Sequence, residues 1–173
     1  MNTLHAGDLT LEPQLALHAD EMFVVLSDLA IYAYENEPPA SVEWLRVRFA
    51  MLESRQSPDG RERWLNWVIR SSDARLIGLV QATVHADHSA LIAYELGSAH
   101  WGRGLASRAT QAVIDELAEH FQVSHFIAVL KRANHRSLRL LGRLAFAPAS
   151  MALLAAHPVE PDELLMSRAS ISE

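Results

Sequence analysis

The chain has 173 residues, half of them apolar, a formal net charge of −6 and no cysteine. That length supports one sizeable core and not two, so residues 1–173 are expected to form a single domain. Lack of cysteine excludes disulfides, thiolate metal sites and a cysteine nucleophile, and the acidic balance argues against broad nucleic-acid binding, which needs phosphate neutralisation by Lys and Arg. No window approaches eighteen uninterrupted apolar residues, and "MNTLHAGDLTLEPQ" lacks the basic stretch and apolar run of a secretory signal, so a cytoplasmic protein without a membrane partner is expected.

In chain order, "LTLEP" (9–13) reads as a strand and "QLALHADEMFVVLSDL" as a helix opened near Pro13, with Leu15, Ala19, Met22, Phe23 and Leu26 on one stripe. "YENEPPAS" breaks it. Ser41 then caps a second helix, "VEWLRVRFAML", in which Val42, Leu45, Phe49 and Leu52 recur every three or four residues. The period changes at Trp64 to that of strands: "WLNWVIR", "RLIGLVQATVH" (75–85) and "SALIAYELG" (89–97), the last two joined by "ADHS" as an antiparallel hairpin. Leu105, Ala109, Val113, Leu117 and Phe121 fall four apart and predict a helix over 104–121. "HFIAVLK" (125–131) predicts a strand, "NHRSLRLLGRLA" (134–145) a helix, and "SMALLA" and "ELLMSR" two closing strands around "HPVEP". The order β-αα-βββ-α-β-α-ββ implies an α+β fold built on one mixed, mostly antiparallel sheet flanked by helices.

Two glycines, Gly102 and Gly104, stand between the third strand of that run and the 104–121 helix. A strand, a glycine turn and a helix N-terminus bring free N–H groups and the positive end of a helix dipole together, which suits phosphate. Turn geometry alone is the competing account. Gly-Lys-Ser/Thr of a mononucleotide loop is absent, and the next strand ends in Lys131 rather than in the acidic residue that a dinucleotide ribose needs. Nearby lie Arg103, Arg108, Lys131, Arg132, Arg136, Arg139 and Arg143, a basic cluster able to hold a small polyanion if it gathers on one face.

"YELGSAHWGRGLASRA", followed about thirty residues later by "NHRSLRLLGRLAF", resembles the Gcn5-related N-acetyltransferase (GNAT) superfamily. Its Gln/Arg-x-x-Gly-x-Gly/Ala motif is represented by Trp101, Gly102, Arg103, Gly104, Leu105 and Ala106, with tryptophan in the first place. That form is similar to the branch containing ribosomal-protein N-terminal acetyltransferases (RimJ/RimL-like). Asn134, Ser137 and Leu144-Ala145-Phe146 match the second element. The resemblance implies acetyl-CoA as cosubstrate and no metal. It places the pantetheine arm beside the backbone of Leu96 and Ser98, the pyrophosphate on Arg103 to Ala106 with Arg108 supplying charge, and Asn134 on the pantetheine. Asn134 also reads as a helix N-cap, and both roles are compatible.

The implied reaction is direct attack of an amine on the thioester in a ternary complex. Backbone N–H near Leu96 would serve the oxyanion. Glu95, a carboxylate inside an apolar strand, is the candidate base or amine anchor, a solvated strand face being the alternative. The tyrosine that many members carry four residues after Ser137 is Leu141 here, which leaves Ser137 as the candidate thiolate acid, or as a small residue packed under the coenzyme. Tyr94 is expected in the core, and Trp44, Trp64 and Trp67 in the core or the acceptor wall. Glu35 and Glu37 border the acceptor by resemblance. "HADH" (85–88) is expected to be solvated rather than metal-binding. The acceptor is a peptide N-terminus or a small-molecule amine, and the protein a monomer or homodimer. The alternative function is a degenerate module that binds acyl-CoA without turnover.

Overall fold

A computed structural model describes residues 1–34 and 36–170. Eight strands form one sheet, in the order β1-β2-β3-β4-β5-β6-β8-β7: β1 (Leu4–Ala6), β2 (Leu9–Pro13), β3 (Arg63–Arg70), β4 (Leu76–Val84), β5 (Ser89–Leu96), β6 (His125–Lys131), β7 (Ala147–Pro148) and β8 (Glu163–Ala169). Five helices flank it: α1 (Ala19–Leu26), α2 (Val42–Leu52), α3 (Leu105–Phe121), α4 (His135–Arg143) and α5 (Met151–Ala156). All neighbouring strands are antiparallel except β5 and β6, as the expected mixed sheet requires. No helix among the described residues is long and apolar enough to cross a membrane.

The two faces of the sheet carry separate cores. Alternation along the strands sends Trp67, Ile69, Val80, Ile92 and Leu96 toward α3 and α4, where they pack with Leu105, Ala109, Val113, Leu117 and Leu141. Val68, Leu76 and Leu79 point the other way, onto Ala19, Met22 and Leu26 of α1 and Leu45, Phe49 and Leu52 of α2. Of the stripes read from periodicity, Ala19, Met22, Leu26, Leu45, Phe49, Leu52, Leu105, Ala109, Val113 and Leu117 are buried, Phe23, Val42 and Phe121 are partly so, and Leu15 precedes α1. Trp67 is fully buried, and its indole N–H donates to the Asn2 carbonyl at 3.0 Å, so the largest side chain of the core leaves no donor unpaired. Asn2 in turn donates its side-chain amide to the buried Glu116 of α3 at 3.1 Å, which ties the start of the chain to the core.

Three local readings are corrected. The expected strand at 150–155 is helix α5, because Ser150 accepts the Leu153 N–H at 3.3 Å as an N-cap and Met, Ala and Leu all favour helix. The pairing that it was to supply comes from Ala147–Pro148, two residues against β8. Between Pro13 and α1 a 3-10 turn (Ala16–His18) intervenes, since the His18 ring accepts the Leu15 N–H at 3.1 Å and the Glu53 carboxylate accepts that of Ala16 at 2.6 Å. β1, too short for a periodic signal, pairs with β2 across the Gly7–Asp8 turn.

Gly78 sits where β4 meets the end of β5. A Cβ there would fall on the Glu95 carbonyl oxygen, well inside contact distance, and lie 3.0 Å from the Leu96 Cα. Backbone cannot yield as a side chain does. Gly78→Ala is therefore expected to displace the end of β5 and to cost about 1–3 kcal/mol of stability, measured by urea unfolding.

Candidate active site

Gly102 and Gly104 have φ of +74° and +73°, the left-handed region that glycine enters without penalty, and a Cβ on either would meet no atom within 4 Å. Their backbone thus faces open space. Gly104 is the N-cap of α3, no side chain caps that end and no acidic residue occupies its first turn. The first intrahelical bond is Arg108 N–H to the Gly104 carbonyl at 3.1 Å, which leaves the N–H groups of Leu105, Ala106 and Ser107 without helical acceptors. A cavity of about 150 Å³ opens on this turn, lined by Gly102, Gly104, Leu105, Ala106 and Ser107 on one side and by Arg136, Arg139, Leu140 and Arg143 of α4 on the other.

A second cavity, of about 190 Å³, continues from it past Trp101 and Leu96. It lies in a wedge between strands: the parallel ladder of β5 and β6 runs only from Ser89↔His125 to Leu91↔Ile127, and Ile92 to Leu96 then face Ala128 to Leu130 across the gap. Gly97 donates to the Ile77 carbonyl at 2.9 Å, so the alternation of an antiparallel ladder turns the Leu96 N–H away from β4 and toward the wedge. The Leu96 carbonyl accepts the Trp101 indole N–H at 2.7 Å, and Arg136 stacks over that indole, 3.3 Å from the ring centroid. Trp101 is therefore held from two directions.

Asn134 caps α4 by accepting the Ser137 N–H at 3.1 Å, and both residues line the wedge. Glu95 lines it too, with Tyr32, Tyr34 and Gln81. The Tyr32 hydroxyl donates to the Leu26 carbonyl at 2.8 Å, and burial, followed by the charges of Glu95 and Asp28, raises its pKa well beyond the usual tyrosine range. Tyr94, expected in the core, packs against it but also reaches the wedge, where its hydroxyl lies 3.5 Å from the Ser137 carbonyl and burial pushes its pKa up to about 12. It stays protonated at any working pH.

The structure thus brings together Glu95, Leu96, Trp101, Gly102, Gly104, Leu105, Ala106, Asn134 and Ser137 along one groove. Arg103, Arg108 and Ser98 stand outside it. Arg108 donates to Asp8 at 2.7 Å and to the Ala6 carbonyl at 3.1 Å; Arg103 lines neither cavity; Ser98 lines a third cavity, of about 350 Å³, on the α1 side. The basic cluster divides, with Lys131 on Asp162 and Glu163 and Arg132 on the Pro161 carbonyl. Trp44 is 53% exposed on α2 rather than in a core or wall. His85 lies 3.3 Å from Glu62. Of the two loop glutamates, Glu37 is exposed and Glu35 lies outside the described residues. Of the basic cluster read from the sequence, Arg136, Arg139 and Arg143 do gather at the glycine turn, whereas sequence reasoning missed Tyr94 and Gln81 as groove residues, which leave no local signal.

A 3-10 turn (Leu29–Tyr32) covers the Glu95 end of the wedge, and Asp28 fastens it. One carboxylate oxygen accepts the Ala30 N–H at 3.1 Å, the other the Ser98 N–H at 2.7 Å, and the Ser98 side chain, followed by these backbone bonds, holds the Asp28 pKa below its ordinary value. A depressed carboxylate stabilises the fold above its unfolded pKa and ceases to do so as pH falls through its folded value. Asp28→Ala should therefore lower the melting temperature at pH 7, and the gap to wild type should close below about pH 4, as a thermal series across pH would record.

The model of the Acetyltransferase (GNAT) domain family matches residues 8–147. A curated relative, the "Uncharacterized N-acetyltransferase p20" of Bacillus licheniformis, is 29% identical over 149 residues, 84% of this chain and 83% of that protein. Among solved structures, the ribosomal-protein-S5-alanine acetyltransferase of Vibrio fischeri superposes with a TM-score of 0.81 at 16% identity, covering 99% of this chain and 98% of its own. RimL, a ribosomal L7/L12 α-N-protein acetyltransferase in complex with coenzyme A, gives 0.81 at 17% identity over 99% and 100%. With the glycine turn, the strand wedge and the family match in agreement, the chain belongs to the GNAT family and is an acetyl-CoA-dependent N-acetyltransferase.

Proposed function

We propose that the protein transfers acetyl from acetyl-CoA to a primary amine, a peptide N-terminus or a small molecule, with Glu95 as base or amine anchor. The observation that carries this reading is the continuity of the groove: a glycine turn with free N–H groups at one end, a strand wedge in the middle, and a carboxylate at the other end. Donor phosphates suit the N–H groups of Gly104 to Ala106, where charge is met by the α3 dipole. Asn134 commits its oxygen to the α4 cap and keeps its amide N–H groups for the arm.

The amine must lose a proton to attack. Glu95 receives it, through a bridging water, on the face of the wedge that Tyr32 and Tyr34 close. The nitrogen adds to the thioester carbonyl carbon, and the resulting oxyanion meets the Leu96 N–H, a fixed dipole that needs no reorganisation. Collapse expels the thiolate, which then takes a proton. Leu141 supplies none; Ser137 and Tyr94 both offer hydroxyls in the same cavity, as candidate acids for the thiolate. The likeness to ribosomal N-terminal acetyltransferases supports a peptide N-terminus as acceptor.

Turnover of acetyl-CoA against peptide N-termini, polyamines, amino acids and aminoglycosides tests the assignment. With an acceptor in hand, Glu95→Gln should lower turnover by roughly 10² or more and leave CoA affinity within a few-fold. Wild-type turnover by this variant across pH 6 to 9 would remove Glu95 from the reaction. Tight CoA binding without acetylation of any amine by the wild type would favour a donor-binding module instead. In a separate measurement, CoA should raise the melting temperature of the wild type but not of Gly104→Val, whose side chain would occupy the space above the turn.

A further inference from the structure

Arg136, Arg139 and Arg143 recur at three and four residues along α4 and so form one stripe on its exposed surface. All three line the cavity at the glycine turn, and no Asp or Glu lines it with them. Among the described residues none of the three forms an ion pair with a carboxylate as Arg46, Arg70, Arg75 and Arg108 do, and, unlike Arg48, Arg55, Arg103 and Arg132, which also lack one, they gather on one cavity. Like charges at this spacing repel and weaken a helix. The stripe thus offers the cavity three guanidinium groups that no protein carboxylate among the described residues neutralises.

A diphosphate does not account for all of it. The turn and the α3 N-terminus already present N–H groups and a positive dipole to the two phosphates of a diphosphate. Arg136 is engaged at the border of the wedge, stacked on Trp101. Arg139 lies about one turn further, and Arg143 about 10 Å beyond Arg136 along the axis, and both line the cavity with Gly102, Gly104 and Ser107. Coenzyme A carries a further phosphate one ribose away from its diphosphate, a monoester of about −1.5 to −2 charge near neutral pH.

On the donor reading above, we infer that Arg139 and Arg143 bind the ribose 3′-phosphate and make the protein selective for CoA over 3′-dephospho-CoA. Guanidinium forks pair with a phosphate monoester through parallel N–H···O bonds, and an exposed rim position lets them close on a ligand that enters from solvent.

Calorimetric titration with CoA and with 3′-dephospho-CoA, at one salt concentration, tests this on the intact chain. Wild type should bind CoA at least about tenfold more tightly. Arg139→Gln with Arg143→Gln should bring CoA affinity down to that of the dephospho form and leave the latter within about twofold, while Arg48→Gln on α2 should leave the ratio unchanged and so exclude a net-charge effect. Both residues are exposed, and circular dichroism would verify the fold. Equal wild-type affinity for the two ligands, or equal losses for both in the double variant, would overturn the inference while leaving the donor assignment intact. Failure of wild type to bind either would overturn both.

Discussion

The site depends on a hydrogen-bond ladder that stops early. β5 and β6 are the sole parallel neighbours in the described sheet, and they part after Leu91 and Ile127. Antiparallel pairing elsewhere continues to the strand ends: β4 with β5 through Leu96, β6 with β8 through Lys131. The unpaired edges of Ile92–Leu96 and Ala128–Leu130 therefore face each other across a gap in the middle of the sheet. Buried backbone donors and acceptors demand partners, and an extended amide-bearing chain such as the proposed pantetheine arm would supply them.

Three contacts keep that gap from collapsing. Gly78 lets the Glu95 carbonyl approach β4 and thereby sets the path of the last residues of β5. Trp101 bonds back to the Leu96 carbonyl under the cover of Arg136, which defines where wedge ends and glycine turn begins. Asp28 joins the turn covering the acceptor end to the N–H of Ser98, just past β5. All three act on the same short stretch, 95–98, from different elements. One segment borders both cavities of the groove, and its neighbours hold it from both faces of the sheet.

The absence of a tyrosine at 141 also acquires a physical sense. Leu141 is 1% exposed and belongs to the core under α4, while the Tyr94 hydroxyl arrives from β5 at the Ser137 carbonyl. A hydroxyl from the strand thus stands beside the first turn of α4, where position 141 offers none. Alternation along β5 produces the arrangement: Tyr94 and Leu96 face α4, and Glu95 faces the opposite side, so adjacent residues reach opposite faces of one cavity.

Local information determined a good deal by itself. The stripes of α1, α2 and α3, the Ser41 and Asn134 caps, the hairpin of β4 and β5, and the strand-glycine-helix junction all follow from periodicity and from residues acting within four positions of one another. The same information made "SMALLA" a strand, since a short apolar run has no period to distinguish it from a helix until a cap such as Ser150 is seen to bond. Tertiary structure alone decided which charges serve the groove. Arg108 lies within the motif span yet turns to Asp8, a hundred residues earlier, whereas the α4 arginines, thirty residues later, close over the glycines. It alone placed Glu95 beside Tyr32 and opened the wedge. A side chain's charge and helical face are local properties, but its partner is whichever opposite charge or bare backbone the fold brings within a few ångströms, and that distance is set by the packing of the whole sheet.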